Sequence, residues 1–396
     1  MRSIRGNKKI LIYSPIFYPD TGGPAIQGKF LAETLSDNGF EVFVLKFSEP
    51  VLLNPKFKII SLNWHPNPNI LKRMYRWLFG PIISIFYILK IRPKLVIVNS
   101  VFWNGMLMGL ICRIARIPTI LKFAGDWVFE SLKGHKNQAV NFQEIYKGSV
   151  LARFLFLIEK FFVNQFTVVW VISNFRKNNV QGMVAAPKIW IQRNFHDLPI
   201  LEHQSSSRFK PPVVFVTSAR LIPHKRIDVL IKTVGKLTYE SRLVVIGEGP
   251  ELENLISLTK ELKLENRIHF LGKISTELLF QIFSYSTAYL SWSAEEGAPN
   301  AFIEAWNFGL PIFTANVGGI PEMIGFNSKA LKLIDPDDTS SLLEALSDLH
   351  LKTNDLENMS KAAIIEAKKF LRKENEVRVV EFINELFSST KKKHTR

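Results

Sequence analysis

The stretch ILIYSPIFYPDTGGPAIQGKFLAETLSDNGFEVFVLK, Ile10 to Lys46, decides the fold. It opens on one short apolar run, Ile10–Ser14, and closes on another, Glu41–Lys46; each has the length and composition of a buried strand. Between them Pro24–Asn38 places Ala25, Ile26, Phe30, Leu31, Thr34 and Leu35 on one helical face, and Gly39 stops the helix. Strand, helix, strand is the unit of a parallel α/β sheet. Further runs at Lys94–Asn99, Thr119–Phe123 and Thr167–Ile172 extend the same sheet.

The stretch Leu201–Pro212, LEHQSSSRFKPP, is polar, rich in Ser and Pro, and lacks periodicity, so it reads as a linker. Beyond it the rhythm restarts, with strands expected at Val213–Ser218, Arg242–Ile246, Arg267–Phe270, Thr287–Ser291 and Pro311–Thr314. Two Rossmann-like halves predict a ligand cleft at the carboxyl ends of both sheets. The expected division is a domain over 1–197, a linker over 198–212 and a second domain over 213–375. A C-terminal helix over 376–396 follows, returning to the first domain, with a solvated basic tail at Lys391–Lys393.

Composition sets the outer limits. The chain has 396 residues, 47% hydrophobic and 22% charged, which excludes a disordered, collagen-like or disulfide-stapled protein and suits two or three domains. Cys112 is the single cysteine, so no intrachain disulfide forms, as in a reducing cytosol. Met1–Lys9 is basic, but the apolar run behind it, Ile10–Tyr13, is too short for a signal peptide. Leu78–Leu89 comes nearest to a membrane span and is interrupted by Gly80 and Pro81. The chain reads as soluble or surface-attached.

The formal charge of +16 is one-sided. Residues 1–197 hold 26 basic and 10 acidic side chains, whereas residues 198–396 hold 25 of each. A basic field confined to one half attracts anionic surfaces, either phospholipid headgroups or nucleic acid.

Three segments carry candidate chemistry. The loop Asp20–Pro24 contains Gly22 and Gly23 and enters a helix directly, so backbone N–H groups there suit an anion, or form only a tight turn. Arg220 and Lys225 follow the strand Val213–Ser218, where two fixed cations can hold a diphosphate and stabilise it as it leaves. The third segment, Trp292–Asn300, precedes a helix through Phe308 and puts Glu296 in a loop and Glu304 in the helix's second turn. The amides of Gly297, Ala298, Asn300 and Ala301 lie between them, around Pro299. Such a segment offers donors to a diphosphate and acceptors to sugar hydroxyls; a glycosidase acid–nucleophile pair is the other chemistry two carboxylates allow.

These segments, in this order, resemble the family 4 retaining glycosyltransferases (glycosyl transferases group 1), whose GT-B fold has two Rossmann-like domains. The pieces are the Gly22–Gly23 loop with its helix, SARLIPHKRIDVLI (Ser218–Ile231), LVVIGEGPELENL (Leu243–Leu255) and IHFLGKIS (Ile268–Ser275). EEGAPNAFIEAWNFGLPIFTANVGGIPEMI (Glu295–Ile324) completes them, with Glu296 and Glu304 eight positions apart and Gly-Gly-x-Pro-Glu at Gly318–Glu322. The resemblance implies that Arg220 and Lys225 hold the donor diphosphate, Glu304 the ribose hydroxyls and Glu296 the transferred sugar. It implies further that the Gly297–Ala301 amides and the Gly22–Gly23 loop approach phosphate and sugar, and that Lys273 or Ile274 packs on the base. A nucleotide-diphosphate sugar is then the co-substrate, with no cofactor and no metal ion, and the leaving phosphate itself takes the acceptor's proton.

The departures are specific. Relatives carry a His near the end of the strand matching Thr119–Phe123; here Asp126 is the polar candidate. Ala298 replaces a Phe, Arg226 replaces the Gly after the donor-site Lys, and Asn194–Asp197 lacks the family's Gly.

Ile70–Leu89 mixes Lys72, Arg73 and Arg76 with aromatic and aliphatic residues and suits an anionic leaflet; Leu151–Phe166, apolar almost all round, reads as a buried helix. The expected acceptor is lipid-linked or a polysaccharide, at the cytoplasmic face of the plasma membrane, in cell-surface glycan synthesis. A GT-B epimerase or hydrolase would act without an acceptor. A non-catalytic basic protein binding nucleic acid would need a recognition module, and none is found in the sequence.

Overall fold

Alternation within the first strand sets out the layers. In a computed structural model, strand β1 (Lys9–Tyr13) turns Leu11 and Tyr13 to one side of its sheet and Ile10 and Ile12 to the other, all fully buried. The residues described are 8–18, 20, 22–47, 56–62, 70–99, 103–123, 150–185, 188–198, 206–325 and 327–394. They fall into two compact units, and the first takes in Arg372–Arg396 as well as Met1–Leu132 and Phe142–Asp197.

The first unit holds a parallel seven-stranded sheet of order β3-β2-β1-β4-β5-β6-β7. The other strands are β2 (Glu41–Lys46), β3 (Lys58–Ser61), β4 (Leu95–Val98), β5 (Thr119–Phe123), β6 (Val168–Val171) and β7 (Ile189–Ile191). On the Leu11 side lie α2 (Ile70–Ile91), α3 (Trp103–Ile114), α4 (Val150–Val163) and α5 (Asn174–Gln181). On the Ile10 side lie α1 (Gly23–Asp37) and, from the far end of the chain, α12 (Arg372–His394). Val379 and Ile383 of α12 are fully buried, and Phe382 stacks on Trp190 with ring centroids 3.9 Å apart. The helix continues through Lys391–Lys393.

The second unit holds a parallel six-stranded sheet of order β10-β9-β8-β11-β12-β13. Its strands are β8 (Val213–Ser218), β9 (Ser241–Ile246), β10 (Ile268–Gly272), β11 (Ala288–Ser291), β12 (Ile312–Ala315) and β13 (Leu331–Ile334). Helices α6 (Ile227–Gly235), α7 (Leu252–Glu261) and α10 (Thr339–Ser347) cover one side; α8 (Thr276–Tyr285), α9 (Asn300–Asn307) and α11 (Thr353–Lys368) cover the other. Arg208 is buried and donates to Phe308 O, Gly309 O and Ser360 Oγ, satisfying carbonyls left free where α9 ends.

Each strand expected from sequence is present within one or two residues. The expectations missed β3, β7 and β13. All three are edge strands, half-covered and only three or four residues long, so their apolar runs are weak. The expectation of a buried helix over Leu151–Phe166 is corrected: α4 buries Ala152, Glu159 and Val163 but exposes Leu151, Phe154, Leu157 and Phe161. Among the described residues no helix is long and apolar enough to cross a membrane.

Candidate active site

Several loops leave the carboxyl ends of neighbouring strands in the second unit and lock together there. After β8 the chain passes through Ala219 and Arg220 into one 3-10 turn, Pro223–Lys225. Ala219 N donates to Ile246 O at 3.0 Å and Leu221 N to Glu248 O at 2.9 Å, joining this loop to the one after β9. A Cβ at Gly247 would stand 1.9 Å from Ala219 O, and one at Gly249 2.1 Å from Leu221 O. Only glycines permit so close an approach, and it fixes the backbone on both sides of exposed Arg220. Arg226 has φ 49°, in the left-handed region, which explains why a Gly suits that position. Its guanidinium donates to Pro336 O at 3.1 Å.

The loop after β11 brings Glu296 to Lys225, and the two form an ion pair with side chains only 13% and 19% exposed. Ser293 Oγ donates to the same Oε1 at 2.8 Å. The backbone reinforces the contact: Ala294 N donates to His224 O at 2.7 Å, and Gly319 N donates to Glu296 O at 2.9 Å. Gly318, with φ +59°, lies so close that a Cβ would stand 2.0 Å from Glu296 O. Burial alone would raise the Glu296 pKa, but the Lys225 charge and the hydrogen bonds from Lys225 and Ser293 outweigh it and hold the carboxyl below its usual range.

Glu304 is the contrasting group. It stands in the second turn of α9, partly buried, its carboxylate without a hydrogen bond or ion pair among the described residues, and burial pushes its pKa up to about 7. Beneath both carboxylates Tyr289 is buried, and its phenol bridges the end of β8: the hydroxyl donates to Ser218 O at 2.9 Å and accepts from Ser218 N at 3.1 Å. Sequence reading did not single out Tyr289 or Ser293; a polar side chain in or just after a buried strand, beside the Glu296 loop, is the signal that points to them.

The other expected residues fall as follows. Gly297 is buried, Ala298 and Pro299 are partly exposed, and α9 begins at Asn300 and Ala301 without a side-chain cap. Ile274 packs on the core cluster that contains Tyr289 and Phe302, next to exposed Lys273; Gly247 N donates to Gly272 O at 2.9 Å, so this loop joins the same assembly. One paired cation–carboxylate couple, one exposed arginine and one unpaired carboxylate thus gather at one end of the sheet. That end has cations for an anion and acceptors for hydroxyl groups.

Gly22 and Gly23 belong to the first unit. Gly22 has φ 118° and caps α1. Asn99 at the end of β4 donates to Pro24 O at 2.8 Å and to Ser14 Oγ at 3.0 Å, and a Cβ at Gly28 would meet Asn99 at 2.9 Å; the start of α1 is thereby held on the sheet's carboxyl end. Nearby Lys122 is buried, its Nζ 4.9 Å from the Trp170 ring, and burial pushes its pKa down to about 7. Asp126 lies outside the described residues. Among the described residues no group of three His, Cys, Asp or Glu is placed to hold a metal ion.

Residues 200–366 match the family model of glycosyl transferases group 1. The chain is 27% identical over 175 residues to N-acetyl-alpha-D-glucosaminyl L-malate synthase of Bacillus anthracis, a match covering 42% of this chain and 45% of that enzyme. It is 24% identical over 348 residues to the phosphatidylinositol N-acetylglucosaminyltransferase gpi3 subunit of Schizosaccharomyces pombe, covering 84% and 71%. The chain thus spans less than half of the first relative's length and about seven tenths of the second's. Among solved structures, sucrose-phosphate synthase of Thermosynechococcus elongatus superposes with a TM-score of 0.79 at 17% identity, covering 96% of this chain and all of that one. Anabaena HepE in complex with UDP-glucose gives 0.74 at 17% identity, covering 95% and 99%. The fold is GT-B.

Proposed function

Because residues 200–366 match the family model of glycosyl transferases group 1, we propose that the chain moves a hexosyl unit from a nucleotide-diphosphate sugar to an acceptor hydroxyl, with retention of configuration. The observation that carries this reading is the contrast between Glu296, ion-paired to Lys225, and Glu304, unpaired eight residues later. A sugar nucleotide needs that pairing of functions. Its diphosphate takes Arg220 and Lys225, and its ribose hydroxyls donate to Glu304. The transferred sugar lies against Glu296, and Gly297, Ala298, Asn300 and Ala301 supply backbone N–H groups. One structural neighbour, HepE, was solved with UDP-glucose bound, which is in keeping with such a donor.

Catalysis then rests on positioning and on stabilising charge as it develops on the leaving diphosphate. That phosphate accepts the acceptor's proton on the same face of the sugar, so no strong side-chain base is required. Transfer proceeds without a metal ion, and EDTA leaves the rate unchanged. The acceptor is a lipid-linked glycan or polysaccharide of the cell surface, met at the inner face of the plasma membrane, and the basic first unit supports contact with an anionic leaflet.

The test is thermal stabilisation by a panel of UDP-, GDP- and ADP-sugars. A donor at ~100 times its Kd adds about 2.7 kcal/mol of stability. A selective rise in Tm that Glu304→Gln abolishes supports the reading; no rise with any donor overturns it. Product analysis separates transfer from epimerisation or hydrolysis of the donor.

A further inference from the structure

Two helices on the Leu11 side of the first sheet carry their apolar residues outward as well as inward. On α2, Ile82, Phe86 and Leu89 recur at helical spacing along the exposed side, with Ile85 beside them; Leu89 is 68% exposed. On α4, Val150, Phe154, Leu157 and Phe161 form a second stripe, with Leu157 62% exposed. The inner faces of both helices pack on the same core, and α3 lies between them. Contact with α3 is close: a Cβ at Gly80 would meet Asn104 at 2.7 Å, and one at Gly109 would meet Phe166 at 2.5 Å. The two stripes therefore look out from one layer, with exposed Ile114 at the end of α3 in it. A monomer in water seldom leaves so much contiguous apolar surface uncovered.

Among the described residues the charges around this layer have one sign. Lys90, Arg92, Arg113, Arg116 and Lys160 are exposed. No carboxylate occurs in the sequence between Glu49 and Asp126, and the single acid of α4, Glu159, is fully buried. Two copies of such a face would repel each other through their cations, whereas an anionic bilayer complements both the apolar stripes and the cationic margin.

We propose that the α2–α3–α4 layer is a monotopic membrane-insertion face, with Phe86, Leu89, Phe154 and Leu157 entering the acyl boundary of an anionic leaflet while the flanking cations engage lipid phosphates. The inference deepens the membrane contact proposed above and rests on it only for the sign of the lipid charge. It adds α4, and it makes apolar burial, not charge alone, hold the protein on the bilayer.

The test is flotation of the full chain with phosphatidylcholine vesicles, with and without phosphatidylglycerol, alongside the molar mass in solution. Binding is expected to phosphatidylglycerol-containing vesicles and to weaken more than ~tenfold in Phe86→Asp and in Leu157→Asp, since each removes a side chain whose burial is worth about that factor. Both positions are exposed, so the fold is retained, and donor-induced stabilisation of the same preparations checks it; loss of that response in the wild type would strike the donor reading and leave the docking result intact. The indole of a Leu157→Trp variant is expected to be quenched by brominated lipid. Binding unaffected by both Asp substitutions, an unquenched Leu157→Trp variant, or a dimer that the substitutions convert to monomers would overturn the proposal.

Discussion

Glu296 and Glu304 sit on one loop–helix segment, yet their surroundings push them in opposite directions. Lys225 keeps Glu296 ionised, while burial without a partner raises Glu304 to about 7. A ribose diol donates best to a carboxylate, so donor affinity falls as pH drops through that value. Isothermal titration is expected to give a Kd roughly tenfold weaker near pH 6 than near pH 8, and Glu304→Gln to lose both the affinity and its pH dependence. The stability sign runs the other way. The folded pKa of Glu304 lies above its unfolded value, so its contribution is fully present below about pH 4.5 and is lost as pH rises through about 7. Glu304→Gln is therefore expected to gain Tm over the wild type between about pH 5 and pH 8 while binding no donor. At the cationic end, Lys225→Met or Arg220→Ala is expected to lower kcat by ~10²–10³, about 3 kcal/mol of transition-state stabilisation. Turnover near that of the wild type in both would remove these cations from the mechanism.

Among elements, the site depends on backbone contacts that only glycine allows. Gly318 combines a left-handed φ with an approach of 2.0 Å between a built Cβ and Glu296 O. Gly318→Ala is expected to destabilise the protein by on the order of 2–4 kcal/mol in urea unfolding, and to weaken donor binding by displacing Glu296 from Lys225. Retention of both stability and affinity would show that the loop has slack. These contacts also explain how far the sequence could be read. The strand–loop–helix units, and the Gly-Gly pair beside Glu296, were legible because buried parallel strands and motif spacing are local signals. Tyr289 was not, because its role comes from pairing β11 with β8, which brings it to Ser218 from 71 positions away. The outward face of α4 was not legible either. A helix apolar nearly all round reads as core, and which side meets water is decided by neighbours distant in sequence.

At the scale of the whole chain, the end of the sequence completes the unit that begins it. Arg372, whose side chain is only 12% exposed, pairs with Asp37 at the end of α1 at 2.5 Å and with Glu376 at 3.4 Å, and lies 3.7 Å from Asp197. Its backbone N–H donates to His196 O at 2.7 Å, so α12 is held at its first residue before Val379, Ile383 and Phe382 are laid on the sheet. The Asp37 pKa is lowered by hydrogen bonds from Lys56 and Arg372, which outweigh its burial. Arg372→Ala leaves Asp37 to Lys56 alone and frees the start of α12, and is expected to cost the first unit about 2 kcal/mol. The lowered folded pKa of Asp37 also makes its contribution present above its unfolded value and lost as pH falls through the folded one, so the deficit of the variant narrows in acid. Hydrogen exchange locates the effect. Peptides covering α1, Ile189–Ile191 and α12 are expected to lose protection together in Arg372→Ala, and the strand Val213–Ser218 to keep its own. Loss confined to the last turns of α12 would mean that the apolar contacts of Val379, Phe382 and Ile383, and not the arginine, hold the helix in place.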